Sequence, residues 1–185
     1  YSDEWIAEAE KRGLPNIKSM IEAASTLTSE KAVALFEKFG IYTKAELESR
    51  EEIIYETYAK TINIEALTMI DMAGKQIIPA VVKYTKTLAD TANAIKAAGG
   101  DASVQTELLA DVSTKLAAMQ KELNKLVADE KEASAMEDVK AQAFFYKDTI
   151  KATMDELRKP ADELEMIVDK DVWPIPTYGE LMFEV

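Results

Sequence analysis

Between residues 43 and 98 the chain offers no strong helix stop. The stretch opens on Thr43-Lys44-Ala45-Glu46, where the threonine hydroxyl can cap an orphan amide and Glu46 can reach back to the Thr43 amide, a capping box. It closes on Gly99-Gly100, which tolerate the left-handed backbone that ends helices. Only Gly74 and Pro79 interrupt it. The spacing therefore predicts one helix of about 55 residues, about 80 Å long at about 1.5 Å per residue. A helix of that length is a scaffold for the rest of a 185-residue chain.

The middle of this helix carries the most information. From 61 to 82 the only charged residues are Glu65, Asp71 and Lys75, and the apolar ones, Ile62, Ile64, Met69 and Ile78 among them, point in nearly every direction around the helical wheel. A helix apolar all round is expected to be buried all round, so these four isoleucine and methionine positions are candidates for an interface or docking surface. Beyond Pro79 the pattern narrows to Ile77, Val81, Tyr84, Leu88, Thr91 and Ile95, the alternating spacing of a single seam. The helix is thus expected to start in a crowded body and to leave it as one arm of a hairpin.

The return arm follows Gly99-Gly100-Asp101. Leu109, Val112, Leu116, Met119, Leu123 and Leu126 step by three and four, and Lys121, Glu122, Lys125 and 129–132 form a charged, solvated face. Ser134 with Glu137 reads as a second capping box, opening a third long helix whose Val139, Ala143, Tyr146, Ile150, Thr153 and Leu157 share one register. Pro160 is expected to kink it near Leu157, at a height comparable with Pro79. Before all of this stand three short helices. Ser2 or Asp3 caps the first, which carries Trp5, Ile6 and Ala9 on one face and ends at Gly13. The second has Ile17, Met20, Ile21 and Ala24 as its apolar stripe. Thr28 or Ser29 caps the third, which ends at Gly40. About 40 residues are too few for an independent core, so this cap is expected to pack on the long helix near Leu47, Ile53, Ile54, Tyr55 and Tyr58.

The reading is an all-α chain: an elongated three-helix antiparallel bundle, or coiled-coil hairpin, with a small N-terminal helical cap. The cap spans 1–42 and the bundle 43–170, with helices at about 43–98, 102–132 and 135–169. A Trp- and Pro-rich docking tail occupies 171–185. Trp173-Pro174-Ile175-Pro176-Thr177-Tyr178 is extended by its prolines, and Thr177 with Glu180 can cap a last helical turn. A tail this apolar needs a surface, so Trp173, Pro174, Pro176, Tyr178 and Phe183 join the docking candidates.

Composition excludes several classes of function. A net charge of −12 argues against nucleic acid or an anionic membrane as partner. With no cysteine and no histidine there is no disulfide, no thiolate nucleophile and no zinc-thiolate site, and the commonest general base is missing. No run of about 18 apolar residues is present, so no membrane helix is expected. The cytoplasm is the default compartment, and a start at Tyr1 rather than methionine suggests a piece of something longer.

The run from Asn63-Ile64-Glu65-Ala66-Leu67-Thr68-Met69-Ile70-Asp71-Met72-Ala73 through Lys75-Gln76-Ile77-Ile78-Pro79-Ala80, with Trp173-Pro174-Ile175-Pro176-Thr177-Tyr178, strongly resembles the C-terminal region of type III glutamine synthetases. Leu35-Phe36-Glu37-Lys38-Phe39-Gly40-Ile41 and Glu46-Leu47-Glu48-Ser49-Arg50 look like the same family. The resemblance implies a parent enzyme that joins ammonia to glutamate with ATP and Mg or Mn, in ring-shaped homo-oligomers. The family's catalytic and metal-binding signatures lie upstream of the matching region. No catalytic, cofactor-binding or metal residue is therefore carried over, and this piece by itself is expected to be inactive. Its expected partners are the catalytic domain of the parent chain and other copies in the ring.

Two carboxylate pairs, Glu65 with Asp71 and Glu46 with Glu137, are candidate metal ligands. Bundle metal sites usually add histidine in a Glu-x-x-His pattern, and six residues put Glu65 and Asp71 on different helix faces. Pairing of Glu65 and Asp71 with Lys60, Lys75 or Arg50, or with basic groups of the catalytic body, is the better reading. Met69, Met72, Met154 and Met166 read as gap-filling core. The competing reading of the whole chain is a free-standing coiled-coil adaptor or sensor bundle that binds a partner helix on the same apolar face.

Overall fold

The computed structural model describes residues 2–176 and 178–183, the side chains of 178 and 179 excepted. Every regular element among them is helical. In order they are α1 (Asp3–Lys11), α2 (Met20–Ala24), α3 (Glu30–Lys38), α4 (Lys44–Met72), a π-helical turn (Ala73–Ile77), α5 (Ile78–Ala97), α6 (Ser103–Ser134), α7 (Val139–Phe145), a second π-turn (Tyr146–Ile150), α8 (Lys151–Glu165) and α9 (Tyr178–Phe183). They form two compact units, 1–61 with 136–144, and 62–135 with 145–185.

In the first unit, the Ser19 side chain accepts from the Glu22 amide to start α2, and Ser29 accepts from the Ala32 amide to start α3. Thr28, the other candidate cap, instead donates to Glu51 at 2.6 Å. Gly13 and Gly40 take the left-handed conformation after α1 and α3, with φ of 72° and 64°. The core gathers Ile21, Ala24, Tyr55 and Ala143, with Ile54, Tyr58, Val139 and Phe144 packed on it. The apolar stripes of α1 and α3 do not reach this core. Trp5, Ile6, Leu35 and Phe39 are about half exposed or more, and Ile53 is exposed too. Two short helices have too little surface to bury both their own stripes and a face of α4.

The capping box at α4 forms as read. The Thr43 amide donates to Glu46 Oε2 at 2.7 Å, and the Glu46 amide donates to Thr43 Oγ1 at 3.3 Å. The expected helix over 43–98 is α4, the first π-turn and α5 in succession, ending with Gly99 at φ 79°. Pro79 explains the π-turn: its nitrogen has no hydrogen to give and its ring collides with the carbonyl four residues back. Winding one residue wider moves that carbonyl, and Ile78 donates to Ala73 O, five residues back.

In the second unit α6 packs against both α5 and α8 and against the second π-turn. Its seam is the one the spacing marked, with Val112, Met119, Leu123 and Leu126 buried. The facing positions on α5 and its π-turn are Ala73, Ile77, Ala80, Val81, Leu88 and Ala92, where Ala92 stands in for the expected Thr91. Ala66, Ala73 and Ala80 recur every seven residues and are all buried. Their small side chains let a neighbouring helix approach closely. Cross-helix bonds fix the register: Asn63 reaches Glu130, and a Cβ on Gly74 would touch Leu123, while Thr153 reaches Asp129 and Lys115 reaches Glu163. In each of the two pairings one residue number rises as the other falls.

Three expectations fail here. The run 61–82 is not buried all round: Ile64 is 67% exposed, and Leu67 and Val82 about half. The alanine seam concentrates burial on one side and leaves the other flank to solvent. Ser134 does not open a helix; it lies in the last turn of α6 with its hydroxyl bonded back to Glu130. Asp138 takes the capping role instead, accepting from the Ala141 amide at 2.6 Å. Met166, taken as core filler, is 86% exposed, because the helix has already ended at Glu165. Pro160 lies buried inside an unbroken α8, and the second π-turn falls ten residues before it.

Candidate functional site

The second unit holds an apolar groove with a cavity volume of about 610 Å³. One wall is α4 and its π-turn, from which Ile64, Met69, Met72 and Ile77 face it; Met119 of α6 and Met154 and Leu157 of α8 form the floor and far side. The tail supplies the remaining wall through Trp173, Ile175, Pro176 and Leu181. The prolines hold the segment extended, and α9 follows, anchored by an ion pair between Glu180 and Lys170 at 3.0 Å. The Trp173 indole nitrogen is buried with no acceptor among the described residues. Charge at the rim is mainly acidic. Glu65, Asp162 and Glu165 line it together with Arg158, which bonds Asp162 at 3.1 Å.

The groove unites part of the expected docking set. Ile64, Met69, Trp173 and Pro176 line it together, although residues 64 and 173 are far apart in sequence. Ile62, 7% exposed, faces the core. Ile78 is half-buried, Pro174 exposed and Phe183 77% exposed, and none of these three lines the groove. Thr177 and the Tyr178 side chain lie outside the described residues. The groove also takes in Met72, Met119 and Met154, expected as core packing, and Ile175 and Leu181 of the apolar tail. The residue spacing within each helix shows which face is apolar, but not which faces meet the tail.

The polar clusters serve to hold helices together. Glu51, buried on α4, accepts from Thr28 at 2.6 Å, from Tyr55 at 2.6 Å and from Lys140 at 3.3 Å. Burial pushes its carboxyl up, but the three donors outweigh that and hold it below the usual carboxylate range. Burial, reinforced by Glu51, drives the Tyr55 phenol above its ordinary value. In the second unit Asn63 donates to Glu130 at 3.0 Å and to Tyr146 Oη at 2.7 Å. Asp71 pairs with Lys75, Lys60 with Glu56, and Arg50 stacks 4.3 Å above the Tyr42 ring. Glu46 is engaged by Thr43. Among the described residues no three acidic side chains gather to hold a metal ion.

The fold and groove define an all-α protein of long helices with an apolar, acid-rimmed groove. The chain belongs to the glutamine synthetase C-terminal domain family, whose model matches residues 1–96. It is 39% identical over its full length to a glutamine synthetase of Butyrivibrio fibrisolvens, covering 27% of that protein. It is 33% identical over 99% of its length to a type-3 glutamine synthetase of Dictyostelium discoideum, covering 26% of it. A glutamine synthetase of Bacteroides fragilis (strain YCH46) is 30% identical over the same share of the chain. The chain thus spans about a quarter of the length of these relatives.

Proposed function

We propose that this chain is the non-catalytic C-terminal helical part of a type III glutamine synthetase, supporting the catalytic body and the assembly of its ring-shaped homo-oligomer in the cytoplasm. In this reading ATP and Mg or Mn bind upstream residues of the parent enzyme, and α4–α5, α6 and α7–α8 act as a three-helix antiparallel bundle that stiffens the part presenting the docking surface. The supporting observation is the large apolar side chains left uncovered on the isolated chain: Trp5, Phe39, Ile64, Val82 and Leu181 are each half exposed or more. Surfaces of this kind mark interaction sites. No described helix is long and apolar enough to cross a membrane, so a lipid bilayer does not cover them by a helical span.

The test is Ile64→Glu in the full-length polypeptide, read by light scattering and by glutamine formation from glutamate, ammonia and ATP. Ile64 is 67% exposed, so the charge should not disturb the helix. The expected result is weakened assembly with activity falling alongside it. Unchanged rings and unchanged turnover would refute the assembly role.

A further inference from the structure

The groove in the second unit differs from the scattered exposed residues in having both a shape and a charge pattern. Four methionines, Met69, Met72, Met119 and Met154, line it. Unbranched thioether side chains remodel around an incoming apolar group at little cost, which suits a surface that must accept a segment of chain. The rim adds direction. Among the described residues no cation bonds Glu65 or Glu165, while Arg158 is already engaged by Asp162, so the mouth keeps a net negative charge.

We propose that this groove receives an extended, apolar segment bearing lysine or arginine from the part of the glutamine synthetase polypeptide outside this chain. The inference rests on the assignment of the chain to the C-terminal part of such an enzyme. Relatives are about four times as long as the region they share with it, so most of the polypeptide is available to supply the segment. Apolar side chains fill the cavity between Met69 and Met154, and the basic group lies at the rim against Glu65 and Glu165, where solvent-exposed charge gives specificity more than affinity. An extended backbone is favoured over a helix. It presents unpaired carbonyls, one of which can accept from the Trp173 indole once the ring turns toward the segment, and a helix uses its own carbonyls internally. The tail is therefore part of the receptor for this segment.

The experiment places p-benzoylphenylalanine at Thr68, which lines the groove, in the full-length polypeptide, and identifies the photocrosslinked peptide by mass spectrometry. The expected product joins residue 68 to a segment outside this chain in which apolar residues flank a lysine or arginine. Combining Glu65→Lys with Glu165→Lys should lower the crosslink yield about five-fold or more with the circular dichroism unchanged. In the unsubstituted polypeptide the yield should also fall as salt is raised. A crosslink to a segment without basic residues, to a bound small molecule or to the same groove of a second copy would overturn the inference. So would a yield indifferent to both charge reversal and salt. Each of those results leaves the assembly role standing if Val82→Glu, at a residue 51% exposed and outside the groove, dissolves the ring. An intact ring in that variant together with the expected crosslink would remove the assembly role and keep the groove's partner.

Discussion

Ile62 and Ile64 lie two positions apart on α4 and were indistinguishable in the apolar run, yet they are 7% and 67% exposed. Truncating each to alanine separates the core from the exposed flank. For Ile62 the three lost carbons, at about 0.8 kcal/mol each, come to about 2.4 kcal/mol, and incomplete collapse around the vacancy raises the cost to about 3 kcal/mol. At Ile64 only about a third of that transfer energy is at stake. Alanine's better helix propensity returns about 0.4 kcal/mol, leaving a cost of about 0.5 kcal/mol or less. Urea unfolding followed by circular dichroism reads the difference. With a slope of about 2 kcal/mol/M, the midpoint should drop by about 1.5 M for Ile62→Ala and by about 0.2 M for Ile64→Ala. Equal shifts, or the larger shift at Ile64, would refute the assignment of the alanine-lined side of α4 as the buried one.

Two further outcomes follow from the polar contacts. Glu51→Gln should cost about 1–2 kcal/mol at neutral pH, since hydrogen bonds to a charged group are the stronger kind. The folded-state carboxyl lies below its ordinary value of 4.5, so its contribution is complete above that value and lost as pH falls through the lowered one. The gap between wild-type and Glu51→Gln urea midpoints should therefore be steady above about pH 5.5 and should shrink on acidification below about pH 4.5. Thr153→Val removes a buried hydroxyl bonded to Asp129 at 2.7 Å. It should lower stability by about 1–2 kcal/mol in thermal unfolding, whereas Thr87→Val, on an exposed face, should leave the midpoint within about 0.5 kcal/mol of wild type.

Helix ends were legible wherever a short-range bond decides them. Thr43 with Glu46, Ser29 and the glycines at 13, 40 and 99 all act as their residue types suggest. The capping reading failed at Ser134, whose hydroxyl found a partner, Glu130, within its own helix, while Asp138, four residues on, took the capping role. The seams of α6 and α8 were legible because long helices bury periodic stripes. Ala66, Ala73 and Ala80 are a faint signal in the sequence, because alanine weighs little on a hydropathy scale even when its small size decides how closely helices approach. The groove was half legible. Ile64, Met69, Trp173 and Pro176 stand out in the sequence as apolar residues that need a surface, but nothing in their spacing joins residue 64 to residue 173.

The amino-acid order alone determined the helical class, the long central helix, its caps and the family resemblance, because these depend on neighbours within a turn or two of backbone or on a preserved string of side chains. Only the tertiary structure decided which flank of α4 is covered, that the tail returns as a wall of the methionine-lined groove, and where the spare carboxylates stand around its mouth. Those outcomes depend on which surfaces compete for the same apolar area. That competition is settled by the whole packed arrangement and by no local pattern.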